Sequence, residues 1–383
     1  MGVTEAKGFR ASGVAAGLKA SGRPDVALVV NDGPRYDAAG VFTANRVKAA
    51  PVLWSQQVVA DGVVRAVVLN SGGANACTGT RGFQDTHRTA EAVAGELDVS
   101  AADVAVCSTG LIGDYLPMDT LLGGVSTVAA GLDSAGGDAA AAAIMTTDTR
   151  PKTAVSSGSG YTVGGMAKGA GMLAPALATM LAVVTTDAVA DADVLRRVLA
   201  GATHTTFDRV DSDGCLSTND TVLLLASGAS GVTADEDELA GHVTSVCADL
   251  ARQLVADAEG ASKDIRIDVA NAASEHDAVT VARAVARSAL LKCAIHGEDP
   301  NWGRVLSAIG TTDATFEPDA LAVAVNGVWV CRAGAPGEDR AKVDMSGREV
   351  VVTADLAAGT ESATLWTNDL TAAYVHENSA YST

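Results

Sequence analysis

The sequence predicts a layered α/β protein in which sheets lie between helices. Three observations point there. Strand-like and helix-like segments alternate through both halves of the chain. The apolar runs are short and bounded by Gly, Pro, Asn and Asp. No internal repeat or low-complexity linker interrupts the 383 residues. Aromatics make up only 4% while 40 residues are glycine, so tightly packed layers with small side chains are expected.

In order, 1–25 is a Gly- and Ala-rich opening (KGFRASGVAAGLK) with basic punctuation. Residues 25–30 read as a buried strand ended by Asn31-Asp32-Gly33-Pro34, a strong turn signal. A strand at 63–69 runs into NSGGANACTG (70–79), where glycines allow close backbone approach. That loop suits a phosphate or a structural role. No Gly-Lys-Ser/Thr follows it, so nucleotide binding is a weak reading. Residues 86–97 read as a helix, and 104–107 as a strand that empties into STGLIG (108–113). A strand ending in Ser-Thr-Gly gathers a hydroxyl and backbone N–H groups, the donors an oxyanion needs, although on its own the tripeptide reads first as a plain turn.

Helices are expected at 119–130 and 136–145, followed by a polar stretch, TTDTRPK (146–152), whose side chains suit a zwitterion or solvent. Residues 156–160 read as an exposed connection. Asp191 and Asp193 can start a helix whose apolar face is Val194, Leu195, Val198, Leu199 and Ala202. The stretch RVDSDGCLSTNDT (209–221) is acidic, but EF-hand spacing and its closing Glu are absent. A strand at 221–226 and a long helix at 236–256 follow. Beyond them come an alternating strand at 265–269, a helix at 278–291 and a turn-rich loop at 293–304. Further strands are expected at 321–330, 349–354 and 363–370. The ending ENSAYST lacks the composition of a disordered tail.

The centre of the chain is KGAGMLAPALATMLAVVTTD (168–187). Its first half is turn chemistry, and its second half is a short apolar, β-branched run, as a buried strand should be. Thr179 therefore stands where a loop enters a central strand. The reading is that the chain cuts itself between Ala178 and Thr179. A new N-terminal threonine carries a hydroxyl nucleophile and an α-amine whose pKa of about 7.7–8.0 suits a general base. On the dipeptide alone an ordinary strand-start threonine is the favoured explanation, because Ala-Thr is common.

Composition bounds the partners. A formal charge of −19 argues against nucleic acid, which needs clustered Lys and Arg. No basic-then-apolar leader and no apolar run of about 18 residues is present, which reads as soluble and cytoplasmic. The six cysteines include no Cys-x-x-Cys pair, so neither a disulfide framework nor a zinc site is expected. Cys293 and His296 have a ligand-like spacing without a partner pair.

Together, NSGGANACTG (70–79), VCSTGLIG (106–113), MTTDTRPK (145–152), KGAGMLAPALATML (168–181), RVDSDGCLSTNDT (209–221), DPNWGR (299–304) and the final AYST closely resemble the ornithine acetyltransferase family. The resemblance runs along the whole chain. It implies an αββα-type sandwich like that of N-terminal nucleophile enzymes, with a further α/β portion in the C-terminal half. It implies self-cleavage between Ala178 and Thr179 into an alpha fragment (1–178) and a beta fragment (179–383). Thr179 is then the nucleophile, and Thr109 and Gly110 match the oxyanion pair. Thr146, Lys168, Thr179, Glu259, Asn378 and Thr383 match substrate-contacting positions.

The implied reaction moves acetyl from N-acetylornithine to glutamate through an ester on Thr179, with no metal and no cofactor. Two alpha and two beta fragments would form a heterotetramer, with no nucleic-acid or membrane partner. Gly73, Ala176-Leu177, Ala258 and Ser379 depart from the family's usual residues, which fits a paralogue in a secondary pathway. Two rivals share parts of this reading. One is an amidohydrolase or aminopeptidase with the same self-made threonine nucleophile. The other is a non-catalytic amino-acid-binding protein.

Overall fold

The computed structural model describes residues 2–172 and 180–380. The chain forms two compact units, Met1–Asp208 with Cys215–Asp257, and 209–214 with 258–382.

The first unit contains β1 (Phe9–Val14), β2 (Val26–Asn31), β3 (Asp37–Phe42), α1 (Ala50–Val58), β4 (Ala66–Asn70), α2 (Gly79–Leu97), β5 (Val104–Ser108), α3 (Met118–Ala130) and α4 (Gly137–Ala143). It continues with β6 (Lys152–Gly158), β7 (Tyr161–Lys168), β8 (Leu181–Thr186), α5 (Ala192–Thr205), β9 (Thr221–Ala226) and α6 (Glu236–Ala256). Among the described residues these strands make two sheets, ordered β1-β2-β4-β5 and β3-β9-β8-β7-β6. The pairs β4/β5 and β8/β9 are parallel, and the other neighbours are antiparallel.

The strands explain the layering. Strands β2, β4, β8 and β9 are buried on both faces, and their sequences are nearly continuous apolar runs rather than alternating ones. Val29, Val67 and Leu69 of one sheet share a core with Met166, Val183 and Leu223 of the other, so the two sheets face each other. On the outer side of the first sheet, Leu28, Val68 and Val106 pack with Val93 of α2 and Leu121 and Val125 of α3. Helices α5 and α6 pack against the second sheet. The result is the expected αββα sandwich.

The second unit holds β10 (Asp264–Ala272), α7 (Glu275–Ala286), α8 (Ala289–His296), α9 (Trp302–Ile309), β11 (Ala322–Val325), β12 (Val328–Arg332), β13 (Ala335–Pro336), β14 (Glu349–Asp355), β15 (Glu361–Asn368) and α10 (Ala372–Ala380). Its sheet runs β13-β12-β11-β14-β10-β15, and its core joins Ile265, Ile267, Val350 and Val352 to α7, α8 and α9. This is the α/β portion expected in the C-terminal half.

Several expectations need correction. The helix expected at 86–97 starts seven residues earlier, at Gly79. Residues 156–160 are not a loose connection. They close the β6–β7 hairpin, with Ser159 and Gly160 both at positive φ (51° and 87°), the conformation of a type I′ turn. The strand expected at 321–330 is likewise a hairpin, turned by Asn326-Gly327 at φ 46° and 82°. The helix expected at 278–291 breaks because Ser288 caps a new one, its hydroxyl accepting from Leu291 N–H. That helix takes up the start of the expected 293–304 loop, and α9, capped by Asn301, takes up its end. Asp191 makes no capping bond to α5, and its carboxylate pairs with Arg35 instead.

Among the described residues no helix is long and apolar enough to cross a membrane.

Candidate active site

The strand order brings distant loops to one end of the sandwich. Parallel β4 and β5 end side by side at Asn70 and Ser108. The last residue of β7, Lys168, pairs with the first residue of β8, Leu181, which pairs with the first of β9, Thr221.

Thr109 leaves β5 with its N–H donating to Asn70 O at 3.0 Å. Its hydroxyl accepts from Lys168 Nζ at 3.3 Å, which leaves the hydroxyl proton to serve another oxygen. Gly110 follows at φ +133°, a conformation for glycine, and an added Cβ would lie 2.9 Å from both the Cα and N of Gly73. Its N–H meets no acceptor among the described residues. Thr109 and Gly110 thus present a hydroxyl and an N–H from adjacent residues, the donor pair an oxyanion requires.

Lys168 is buried, and it lies in a cluster of alternating charge. Asp148 Oδ1 accepts from Gly169 N–H at 2.7 Å and from Lys152 Nζ at 2.6 Å, while its Oδ2 accepts from Thr146 N–H at 2.9 Å. Lys152, fully buried, also reaches Asp257 Oδ2 at 2.6 Å. Asp257 in turn accepts from the N–H and hydroxyl of Thr149. Burial pushes the Asp148 carboxyl upward, but the charges of Lys168 and Lys152 and the Gly169 N–H outweigh it, holding the group at about 2. The stretch 146–152 therefore turns Asp148 and Lys152 inward. They fix the backbone of Thr146 and the ground on which Lys168 stands.

A second hub is Ser217-Thr218-Asn219-Asp220. Asn219 Nδ2 donates to Ala74 O at 2.6 Å and to Ser108 O at 2.8 Å, tying the 70–79 loop to the end of β5. Asp220 Oδ1 accepts from Met180 N–H at 3.1 Å. Its other oxygen is buried and has no hydrogen-bond partner among the described residues. Burial drives this carboxyl well above the ordinary range, against the pull of the Met180 N–H and Lys168.

In the second unit, Asn378 Nδ2 donates to Glu259 Oε2 at 3.0 Å. The loop carrying Glu259 is fastened at Gly260, whose carbonyl accepts from the Thr371 hydroxyl at 2.6 Å. Asp369 then receives the N–H groups of Ser262 and Lys263, both at 2.9 Å. Glu259 lines a cavity of about 240 Å³ shared with Arg287, Lys292 and Asn368.

Of the residues expected from the sequence, the structure brings Thr109, Gly110, Thr146 and Lys168 together in the first unit. It brings Glu259 to Asn378 in the second. Ala178, Thr179 and Thr383 lie outside the described residues. Sequence reasoning missed Asp148, Lys152, Asp257, Asn219 and Asp220 as site-building residues, because nothing local marks an inward-turned Asp or Lys in a polar stretch. The stretch 209–221 is not one acidic loop. Its Asp211 pairs with Arg287 at 2.7 Å in the second unit, while Asp220 belongs to the first. His296 Nδ1 lies 2.9 Å from Asp369 Oδ2, and among the described residues no cluster of His, Cys, Asp and Glu could hold a metal.

The sequence matches known proteins over its length. The ArgJ family matches residues 10–383. The arginine biosynthesis bifunctional protein ArgJ of Streptomyces avermitilis is 70% identical over 382 residues, covering all of both chains. Its counterpart in Thermobifida fusca is 66% identical over 383 residues, again covering both in full. Among solved structures, a chain of ornithine acetyltransferase complexed with ornithine from Mycobacterium tuberculosis is 60% identical. That match covers 47% of this chain and 96% of the other, with a TM-score of 0.44. With a family match over nearly every residue and full-length relatives at this identity, the chain belongs to the ArgJ family.

Proposed function

We propose that this acyltransferase moves acetyl from N-acetylornithine to glutamate after cutting itself between Ala178 and Thr179. The observation that carries the reading is the meeting of Thr109 and Lys168 at 3.3 Å, beside a glycine N–H held at positive φ. In the proposed cycle the Thr179 hydroxyl attacks the acetyl carbonyl while its own α-amine takes the proton. The Thr109 hydroxyl and Gly110 N–H hold the negative oxygen. Ornithine leaves with its amine protonated, and an acetyl ester stays on Thr179. Glutamate's amine then collects the acetyl group through the same oxyanion.

Lys168 suits an α-carboxylate, as a compact cation already desolvated. Thr146, Glu259, Asn378 and Thr383 complete the proposed substrate contacts, with Glu259 facing a substrate ammonium. The names of the relatives place them in arginine biosynthesis, and the same pathway is proposed here. Alpha (1–178) and beta (179–383) fragments, a heterotetramer of two of each, and a cytoplasmic location belong to the same reading.

The test has two parts. Thr179→Ala should stay a single chain of 38.4 kDa and be inactive. Incubating the wild type with acetylornithine should release ornithine in amounts matched by acetylglutamate when glutamate is present. Processing of Thr179→Ala would sink the nucleophile assignment. Release of acetate whether or not glutamate is present would make the chain an amidohydrolase.

A further inference from the structure

We propose that Lys19 is the cation that holds the second, side-chain carboxylate of the acceptor amino acid, and so selects glutamate. The inference rests on the acetyl-transfer reading above and deepens it.

The segment before β2 is shaped to present this one side chain. Asp25, fully buried, takes the N–H groups of Ala16, Gly17, Leu18 and Lys19 on its two oxygens at 2.6, 3.1, 2.6 and 3.0 Å. Its own carbonyl accepts from Ser71 N–H at 2.9 Å, which anchors the segment to the loop after β4. The Lys19 ammonium is then placed by two carbonyls, Pro24 O at 2.8 Å and Met145 O at 2.6 Å. Met145 precedes Thr146, so Lys19 stands at the stretch that Asp148 fixes beside Lys168.

The chemistry of that position is unusual in this chain. An ammonium has three donors, and two go to carbonyls. Among the described residues no carboxylate forms an ion pair with Lys19, although the chain carries 46 acidic residues against 27 basic ones. The nearby Asp148 is already engaged by Lys152, Gly169 and Thr146. Two partly or wholly desolvated cations, Lys19 and Lys168, thus share one neighbourhood.

An amino acid has one α-carboxylate, which Lys168 suits. Glutamate brings a second carboxylate, and binding it without a cation would desolvate a charge uncompensated. Burial, then repulsion from Arg23 and Lys168, opposed by Asp25 and Asp148, lowers the Lys19 pKa to about 8. An added carboxylate would restore the charge balance.

The experiment compares glutamate with glutamine, its neutral isostere, as acceptors for acetylornithine-derived acetyl. In the wild type kcat/KM should favour glutamate strongly. Lys19→Met should cut that preference at least 30-fold, mostly through the KM for glutamate, and Lys19→Arg should restore much of it. A Lys19→Met enzyme that keeps the wild-type preference overturns the inference, as does one that loses glutamate and glutamine equally.

If Lys19→Met fails to fold, the wild-type pH profile decides. The KM for glutamate should rise as pH passes about 8 while the KM for glutamine stays level. Parallel profiles for the two acceptors overturn the inference. A wild type that transfers no acetyl to either acceptor would instead refute the parent reading.

Discussion

The carboxylate of Asp148 receives the Gly169 N–H at 2.7 Å, joining the 146–152 stretch to the residue that follows Lys168. Two segments separated by an entire hairpin are therefore locked in register by one side chain. Asp148→Asn would leave Lys152 and Lys168 buried with one fewer negative charge. Breaking a buried ion pair by removing one partner costs about 3–5 kcal/mol. The urea midpoint should fall accordingly with an unchanged slope. Acetyl transfer should fall with it, because Lys168 and Thr146 lose their common support.

Acid should weaken the same contact. The folded Asp148 titrates at about 2 against an ordinary 3.8. The folded value is the lower one, so the stabilisation is present above the ordinary carboxyl range and is lost as pH falls toward about 2. The gap of about 1.8 corresponds to about 2 kcal/mol at 1.36 kcal/mol for each pKa unit. Asp220 runs the other way. Its folded state holds the proton more tightly, so its contribution declines as pH rises above the ordinary carboxyl range. Melting temperatures between about pH 5 and pH 2 should fall more gently for Asp148→Asn than for the wild type.

Thr109→Ala removes a hydroxyl donor but keeps the backbone bond to Asn70. Loss of one oxyanion donor typically costs about 3–4 kcal/mol in the transition state. The expected result is a fall in kcat of about 100–1,000-fold with KM little changed. Steady-state kinetics with acetylornithine would read it, and a change confined to KM would remove the oxyanion role.

Gly260 sits at φ +61°, and a Cβ there would come within 2.2 Å of Tyr374 N in α10. Gly260→Ala must therefore displace the helix that carries Asn378 or the loop that carries Glu259. The 3.0 Å bond between those two residues should be lost. A raised KM together with faster protease cleavage near residue 372 is expected, whereas an unchanged KM would separate this loop from substrate binding.

The sequence alone determined much of this protein. Apolar runs such as VALVV and TVLLLA specify strands buried on both faces, because only a strand between two layers tolerates no polar side. Residues 221–226 and 236–256 were legible to the residue, since their patterns are local and cleanly bounded. Thr109, Gly110 and Lys168 were singled out only through the resemblance of whole motifs to a known family, because a hydroxyl and a glycine at a strand end are by themselves ordinary turn chemistry. The hairpins at 159–160 and 326–327 were written in turn residues but hidden by Ser- and Gly-rich or apolar surroundings.

Tertiary structure decided which polar residues turn inward. Asp148, Lys152 and Asp257 look like surface residues in their own segments, and burying Lys152 is made tolerable by Asp148 nearby in sequence together with Asp257, 105 positions away. Asp220 and Lys19 acquire their altered proton affinities chiefly from burial, which the packing of remote segments around them creates. Charge burial depends on distances between remote segments, and no local pattern encodes such distances.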